Sequence, residues 1–343
     1  MTIVETAQKL ADDLLWPTAA SVDRANTIPA SHLKALAEAN LFSVAGKPPF
    51  GLGAQPVDAR RVHRQLGGGC AATTFVYAQH HGLVGQLNHT ENQALSDRWH
   101  SKLCNGEALA GIMFAHLRRP GPPVLTAQRN STDDGWVIDG HAPWATSWGL
   151  ADVFLVAART SDDKIVWFVV NENEPALAST LIELPVLMAS RTARITFDGL
   201  GVSDSDVVSV MDLDEWVGPD LLRAASPNPA ALGVGDRALG LLDQYSSETA
   251  RRAKQRWVDV SSRAEESNLK VDNGQGTIAG HSAIRAEVMK EIVTLSTALL
   301  AASGGRGVEV ANPAQRLCRE AMFYIVQAQT EAGRAATLEQ LIV

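Results

Sequence analysis

The sequence predicts an α+β chain in three parts: an N-terminal helical domain (residues 1–107), a middle antiparallel β-barrel (108–212) and a C-terminal helical bundle (213–343). Three observations predict it. Apolar residues recur at helical spacing early in the chain. In the middle, turn signals and β-type runs alternate roughly every ten residues. After Ser226-Pro227-Asn228-Pro229 the helical period returns. Rossmann and TIM chains instead alternate strand with helix.

In the first part, Ile3, Ala7, Leu10, Leu14 and Leu15 share one helical face, and Leu33, Leu36, Ala37 and Phe42 another. Pro48-Pro49-Phe50-Gly51 reads as a loop and Val57–Leu66 as a helix. Ala71–Leu87 is apolar and too long for a strand, so a buried helix is expected. In the middle, Ile165–Val170 and Arg194–Phe197 read as strands. Asp133-Asp134-Gly135, Asp139-Gly140, Ser161-Asp162-Asp163 and Asp198-Gly199 read as turns. Farther on, proline suits a first helical turn after Asn228. Ile284, Val288, Ile292, Leu295 and Leu299 step along one face of a bundle helix that stops at Ser303-Gly304-Gly305. The C-terminal third leaves little room for a full second bundle helix.

Composition narrows the function. The chain has 45% hydrophobic and 20% charged residues, as a globular protein does. A net charge of −8 argues against a nucleic-acid partner. Cys70, Cys104 and Cys318 are far apart and odd in number, so neither a disulfide framework nor a metal site is expected. The N-terminus lacks a signal-peptide core, and no apolar run approaches the ~20 residues of a membrane span. A soluble, cytoplasmic protein is the expectation.

Two stretches carry more. Gly140-x-x-x-Trp144-Ala145-Thr146-Ser147, then Ala151-Asp152-Val153, places an indole and two hydroxyls on a short connection between strands. Gly304-Gly305-x-Gly307 is followed in register by Pro313, Arg316, Leu317, Arg319, Glu320, Ala321 and Thr330. Together with the order of the three parts, these runs resemble the acyl-CoA dehydrogenase superfamily over nearly the whole chain. A third run, 188–208, is similar to that family's closing strand of the β domain.

The resemblance implies FAD. Trp144, Thr146 and Ser147 would lie against the flavin, with Leu117 and Arg118 in the loop over it. Gly304, Gly305 and Gly307 would approach the pyrophosphate of a neighbouring subunit's cofactor, and Thr330 would contact the dinucleotide. It further implies α,β-dehydrogenation of an acyl-CoA thioester, in which a carboxylate takes the α-proton while hydride leaves the β-carbon. That base falls here on Ala328, within Gln327-Ala328-Gln329-Thr330. The alternative position on the first bundle helix, near Arg223-Ala224-Ala225-Ser226, has no carboxylate either. The family's Thr-Glu-Pro-Gly…Gly-Ser-Asp loop is replaced by Arg118-Arg119-Pro120-Gly121-Pro122.

Three residues are candidates for the missing acid–base work: Glu331 as a displaced base, and His80 and His81 on the buried helix, which in this fold borders the substrate side. Glu320 is expected to pair with an arginine. Three readings follow. The first is an FAD-dependent dehydrogenase of acyl-CoA type acting on a small-molecule substrate. The second is a two-component flavin monooxygenase of the same fold, using reduced flavin and O2. The third is an inactive partner subunit of a hetero-oligomeric dehydrogenase. All three imply oligomers: a homodimer, a homotetramer, or assembly with a homologous subunit.

Overall fold

The computed structural model describes residues 1–131 and 135–342. Six helices come first: α1 (Ile3–Leu10), α2 (Trp16–Val22), α3 (Ala30–Glu38), α4 (Pro56–Gly69), α5 (Ala71–Leu87) and α6 (Gln93–Cys104). Thr2 starts α1 with a reciprocal capping box to Glu5. α5 forms over the expected apolar run, and Cys70, in an extended conformation, separates it from α4.

Eight strands follow: β1 (Ala110–Met113), β2 (Leu125–Arg129), β3 (Gly135–Ala145), β4 (Val153–Arg159), β5 (Lys164–Val170), β6 (Leu177–Leu181), β7 (Ala193–Ser203) and β8 (Val207–Asp212). They form one sheet in the order β6-β7-β3-β2-β4-β5-β8, with β1 parallel to β4. The expected barrel does not close. The sheet runs open from β6 to β8, and β2 meets β4 only through Thr126 and Arg159. Helices make closure unnecessary. Leu155, Ala157, Ile165 and Trp167 pack with Leu83, Leu87, Leu103 and Trp216. On the opposite face, Phe154, Val156, Val166 and Phe168 join a core shared with the N-terminal helices. The β4–β5 half of the sheet is thus covered on both faces, while β6 and β7 leave one face outward.

Two of the expected turns prove to be one β-bulge. β3 and β7 run straight through Asp139-Gly140 and Asp198-Gly199. Ile138 pairs with Leu200 and Gly140 with Phe197, so Asp198 and Gly199 together face Asp139. Gly199 takes φ +63°, and its N–H donates to Asp139 Oδ1 at 2.7 Å. An Asp-Gly pair signals positive φ, which a bulge uses as readily as a hairpin. Ser161-Asp162-Asp163 does turn the chain between β4 and β5. Asp133 and Asp134 lie outside the described residues.

The last part holds α7 (Leu213–Ala225), α8 (Pro229–Tyr245), α9 (Ser247–Asp272), α10 (Ile278–Ala302), α11 (Pro313–Val326) and α12 (Glu331–Ile342). Asn228 caps α8 and Pro229 fills its first position. Contrary to expectation, the second bundle helix is full-length: α9 has 26 residues. Its sequence is mostly polar, and its buried stripe sets Trp257 and Val260 among the small Ala250, Ala253, Ser261 and Ala264. Ser246 caps it, and Arg256–Glu291 and Arg263–Glu287 tie it to α10. α4 and α8 cross closely at glycines: a Cβ on Gly67 would stand 2.4 Å from the Ala230 carbonyl oxygen.

Candidate functional site: an open groove and a sealed turn

Trp144 near the end of β3 and Trp148 in the turn after it point in opposite directions. Trp148 turns inward and stacks on Phe154, ring centroids 5.2 Å apart. Trp144 turns outward and is 43% exposed. It lines a groove of about 570 Å³ with Arg119, Gly140, His141, Pro143, Ile182, Arg194, Thr196 and Phe197. That volume falls within the range of small-molecule sites, roughly 300–1,000 Å³. Aromatic and aliphatic walls supply one half of the chemistry, and two guanidiniums and an imidazole the other. No acid lines it. A flat aromatic ligand with an anionic tail suits such a groove, and a flavin nucleotide is one.

Behind Trp144 the chain is locked. Thr146 and Ser147 are buried; the Thr146 hydroxyl shares a hydrogen bond with that of Thr192 at 3.2 Å. Ser147 sits at φ +72° with its hydroxyl enclosed and unpartnered. Arg191 Nε donates to the Trp148 carbonyl, and the Gly149 N–H to Glu172. Leu117 is buried against the α5–α6–β4 core. Arg118 is committed to Asp220 of α7 through two hydrogen bonds, 2.7 and 2.9 Å, so it anchors the short 3-10 turn Ala115–Arg118 to the bundle.

Ala328, where the sequence resemblance put the base, lies between α11 and α12 with φ +50°. No acid stands beside it in sequence: Gln327 and Gln329 flank it. The charge in this region is a cation. Buried Arg285 donates to the carbonyls of Ala224 and Gln327, which close the C-terminal ends of α7 and α11. Helix C-termini carry unsatisfied carbonyls and partial negative charge, which a guanidinium satisfies well. Arg285 has no carboxylate partner among the described residues. Burial, and then the nearby charge of Arg118, push its pKa down to about 10.

The other sequence candidates are spread out. His80 is fully buried: its Nδ1 accepts from the Ala110 N–H at 3.1 Å and its Nε2 has no partner. Burial pushes it down to about 3. His81 is half-buried with both ring nitrogens enclosed and unpartnered, wedged against Tyr77 and His63, and burial lowers it well below the usual histidine range. Neither lines the Trp144 groove. Glu331 is exposed in the first turn of α12. The Thr330 hydroxyl accepts from the Gly333 N–H, capping the same helix. Gly304, Gly305 and Gly307 form a 3-10 turn after α10, with Val308 and Val310 exposed beside it. Glu320 pairs with Arg316 at 2.9 Å, both buried. Among the described residues no group of His, Cys, Asp or Glu could hold a metal ion. No helix there is long and apolar enough to cross a membrane.

Sequence reasoning missed Arg119, His141 and Arg194. The signal was present for one of them. Arg194 and Thr196 alternate with Ala193, Ile195 and Phe197, and such a period of two marks an outward face. Arg285 and Asp220 left none, because their partners are far away in the chain.

Residues 1–107 match the family model for the acyl-CoA dehydrogenase N-terminal domain. Cyclohexane-1-carbonyl-CoA dehydrogenase from Syntrophus aciditrophicus is 25% identical over 259 residues, covering 72% of this chain and 67% of that one. Butyryl-CoA dehydrogenase from Megasphaera elsdenii superposes with a TM-score of 0.82 at 15% identity, covering 99% of this chain and 97% of that one. The FAD complex of PigA does so with a TM-score of 0.82 at 17% identity, covering 99% and 96%. Residues 1–107 thus carry the acyl-CoA dehydrogenase N-terminal domain, and the chain along its whole length takes the fold of acyl-CoA dehydrogenases.

Proposed function

We propose that the chain is an FAD-dependent oxidoreductase subunit of acyl-CoA dehydrogenase type, with its flavin against the Trp144 groove. One observation carries the reading: an exposed indole faces an acid-free groove in the very stretch that resembles the family's flavin-binding loop. When bound, FAD supplies the hydride acceptor. The chain's own part is to stack Trp144 on a planar ring, to place cations at the groove's edge and to keep the connection behind it rigid. The substrate class this reading implies is an acyl-CoA thioester. Ala328 takes no proton, so the α-proton goes to a group outside the Gln327–Thr330 turn.

A second reading, a base-less partner in a mixed oligomer, draws support from Ala328 together with the apolar surface around the glycine turn and α11. Val308, Val310, Met322 and Val326 are all exposed there.

The test is the absorbance spectrum of the purified chain with and without added FAD, followed by ferricenium-coupled oxidation of an acyl-CoA. A bound flavin with turnover by the isolated chain is the expected result. Bound flavin with turnover only after co-expression with a homologous chain carrying a carboxylate base selects the second reading. A chain that retains no flavin under any of these conditions overturns both.

A further inference from the structure

Most arginines in this acidic chain are spent on carboxylates. Arg60, Arg64, Arg98, Arg118, Arg129, Arg237 and Arg319 each hold at least one. Arg119 and Arg194 do not. Both are exposed and both line the Trp144 groove. Neither side chain has a hydrogen bond or ion pair among the described residues. They approach the groove from different elements: Arg194 from the outward face of β7, Arg119 from just past the 3-10 turn that Arg118 pins to Asp220. His141 of β3 lies in the same lining. A planar ring stacked on Trp144 needs none of these cations.

We propose that Arg119 and Arg194 hold the cofactor's pyrophosphate, so that this chain selects a phosphorylated flavin through two of its own guanidiniums. The inference rests on the flavin reading above and adds to it the residues that recognise the anionic tail. Guanidinium–phosphate contacts are charge-assisted and planar, and they are among the stronger polar contacts available. With no acid in the lining among the described residues, an arriving anion meets two unspent charges.

The experiment separates phosphate from ring. Dissociation constants for FAD and for riboflavin are measured by flavin fluorescence on the full chain and on R119Q, R194Q and W144A, with thermal melting to confirm folding. Each arginine variant is expected to weaken FAD roughly tenfold while leaving riboflavin within about twofold. W144A is expected to weaken both flavins. Raising the salt concentration weakens FAD and not riboflavin in the wild type. If wild type binds both flavins and the arginine variants match it for FAD, the proposal falls and the flavin reading stands. Equal losses of FAD and riboflavin in R119Q and R194Q also overturn it, because the arginines would then serve the ring. A wild-type chain that binds neither flavin removes both.

Discussion

The outer face of the sheet and the interior around α5 and α11 treat charge in opposite ways. At the Trp144 groove, the indole is exposed and, among the described residues, nothing acidic answers the cations. Inside, Arg285 is consumed by two helix ends, His80 by a backbone N–H, and Ala328 offers no acid between α11 and α12. The difference teaches that the two duties of a flavin dehydrogenase site are physically separable. Binding a cofactor needs an accessible surface with unspent charge. Taking a proton needs a titratable group poised near neutrality, and the interior has traded that for enclosure. If the contrast is sound, perturbing the interior changes stability and perturbing the groove changes binding.

The largest expected effect is acid lability of the interior. Burial pushes His80 down to about 3 and His116, whose Nε2 donates to the Ala157 carbonyl, down to about 4. An unfolded histidine titrates near 6.5. Between these values the unfolded chain binds protons that the folded chain refuses, so stability is full above pH ~6.5 and is lost as pH falls. Each histidine contributes about 1.4 kcal/mol per pH unit. From pH 6.5 to 4.5 the pair together cost roughly 5 kcal/mol, comparable with the whole stability of many domains. Urea unfolding between pH 7.5 and 4.5 measures this. His80→Asn keeps an acceptor for the Ala110 N–H and should remove about 1.4 kcal/mol per pH unit of the slope. An unfolding free energy that stays level from pH 6.5 to 5 would mean the imidazoles reach solvent, and the contrast would break.

Arg285 comes next. Arg285→Met keeps the length of the side chain but strands the carbonyls of Ala224 and Gln327. Unmade buried hydrogen bonds cost about 1–3 kcal/mol each, and the relief of a desolvated charge offsets part of that. A net loss of about 3 kcal/mol at pH 7 is expected in urea unfolding. Arg194→Gln, on the groove, is expected to change stability by less than about 0.5 kcal/mol, as exposed substitutions usually do. Equal losses for both would erase the distinction between the two regions.

How legible each region was follows from the range of its contacts. The helices wrote themselves in periodicity: α5 lies where the apolar run Ala71–Leu87 placed it, and α10 buries Val288, Ile292, Leu295 and Leu299 as spaced. α9 was harder, because an alanine stripe under charged residues looks polar in sequence. The open sheet was not legible, since closure depends on which helices cover which face. In the site, Trp144 stood out by its neighbours in sequence. Arg119 and Arg194 meet only in space, and Arg285 touches residues 61 and 42 positions away. Ala328 was readable as a missing acid, but its left-handed backbone was not.

That backbone gives the smallest and most local prediction. Ala328 holds φ +50° with a Cβ, a conformation that costs an L-residue roughly 1–2 kcal/mol. Arg285, bonded to the carbonyl just before it, helps hold the turn in place. Ala328→Gly removes the steric cost and makes the unfolded chain freer, which takes back about 0.4–1 kcal/mol. A net gain of about 0.5 kcal/mol is therefore expected, readable as a small rise in the urea midpoint at unchanged slope. In the Arg285→Met background the gain should shrink, because a turn no longer clamped can relax away from positive φ. A double-mutant cycle measures that coupling. Strict additivity would mean the guanidinium bonds the turn without enforcing its shape, and the strain at Ala328 would then belong to the α11–α12 connection alone.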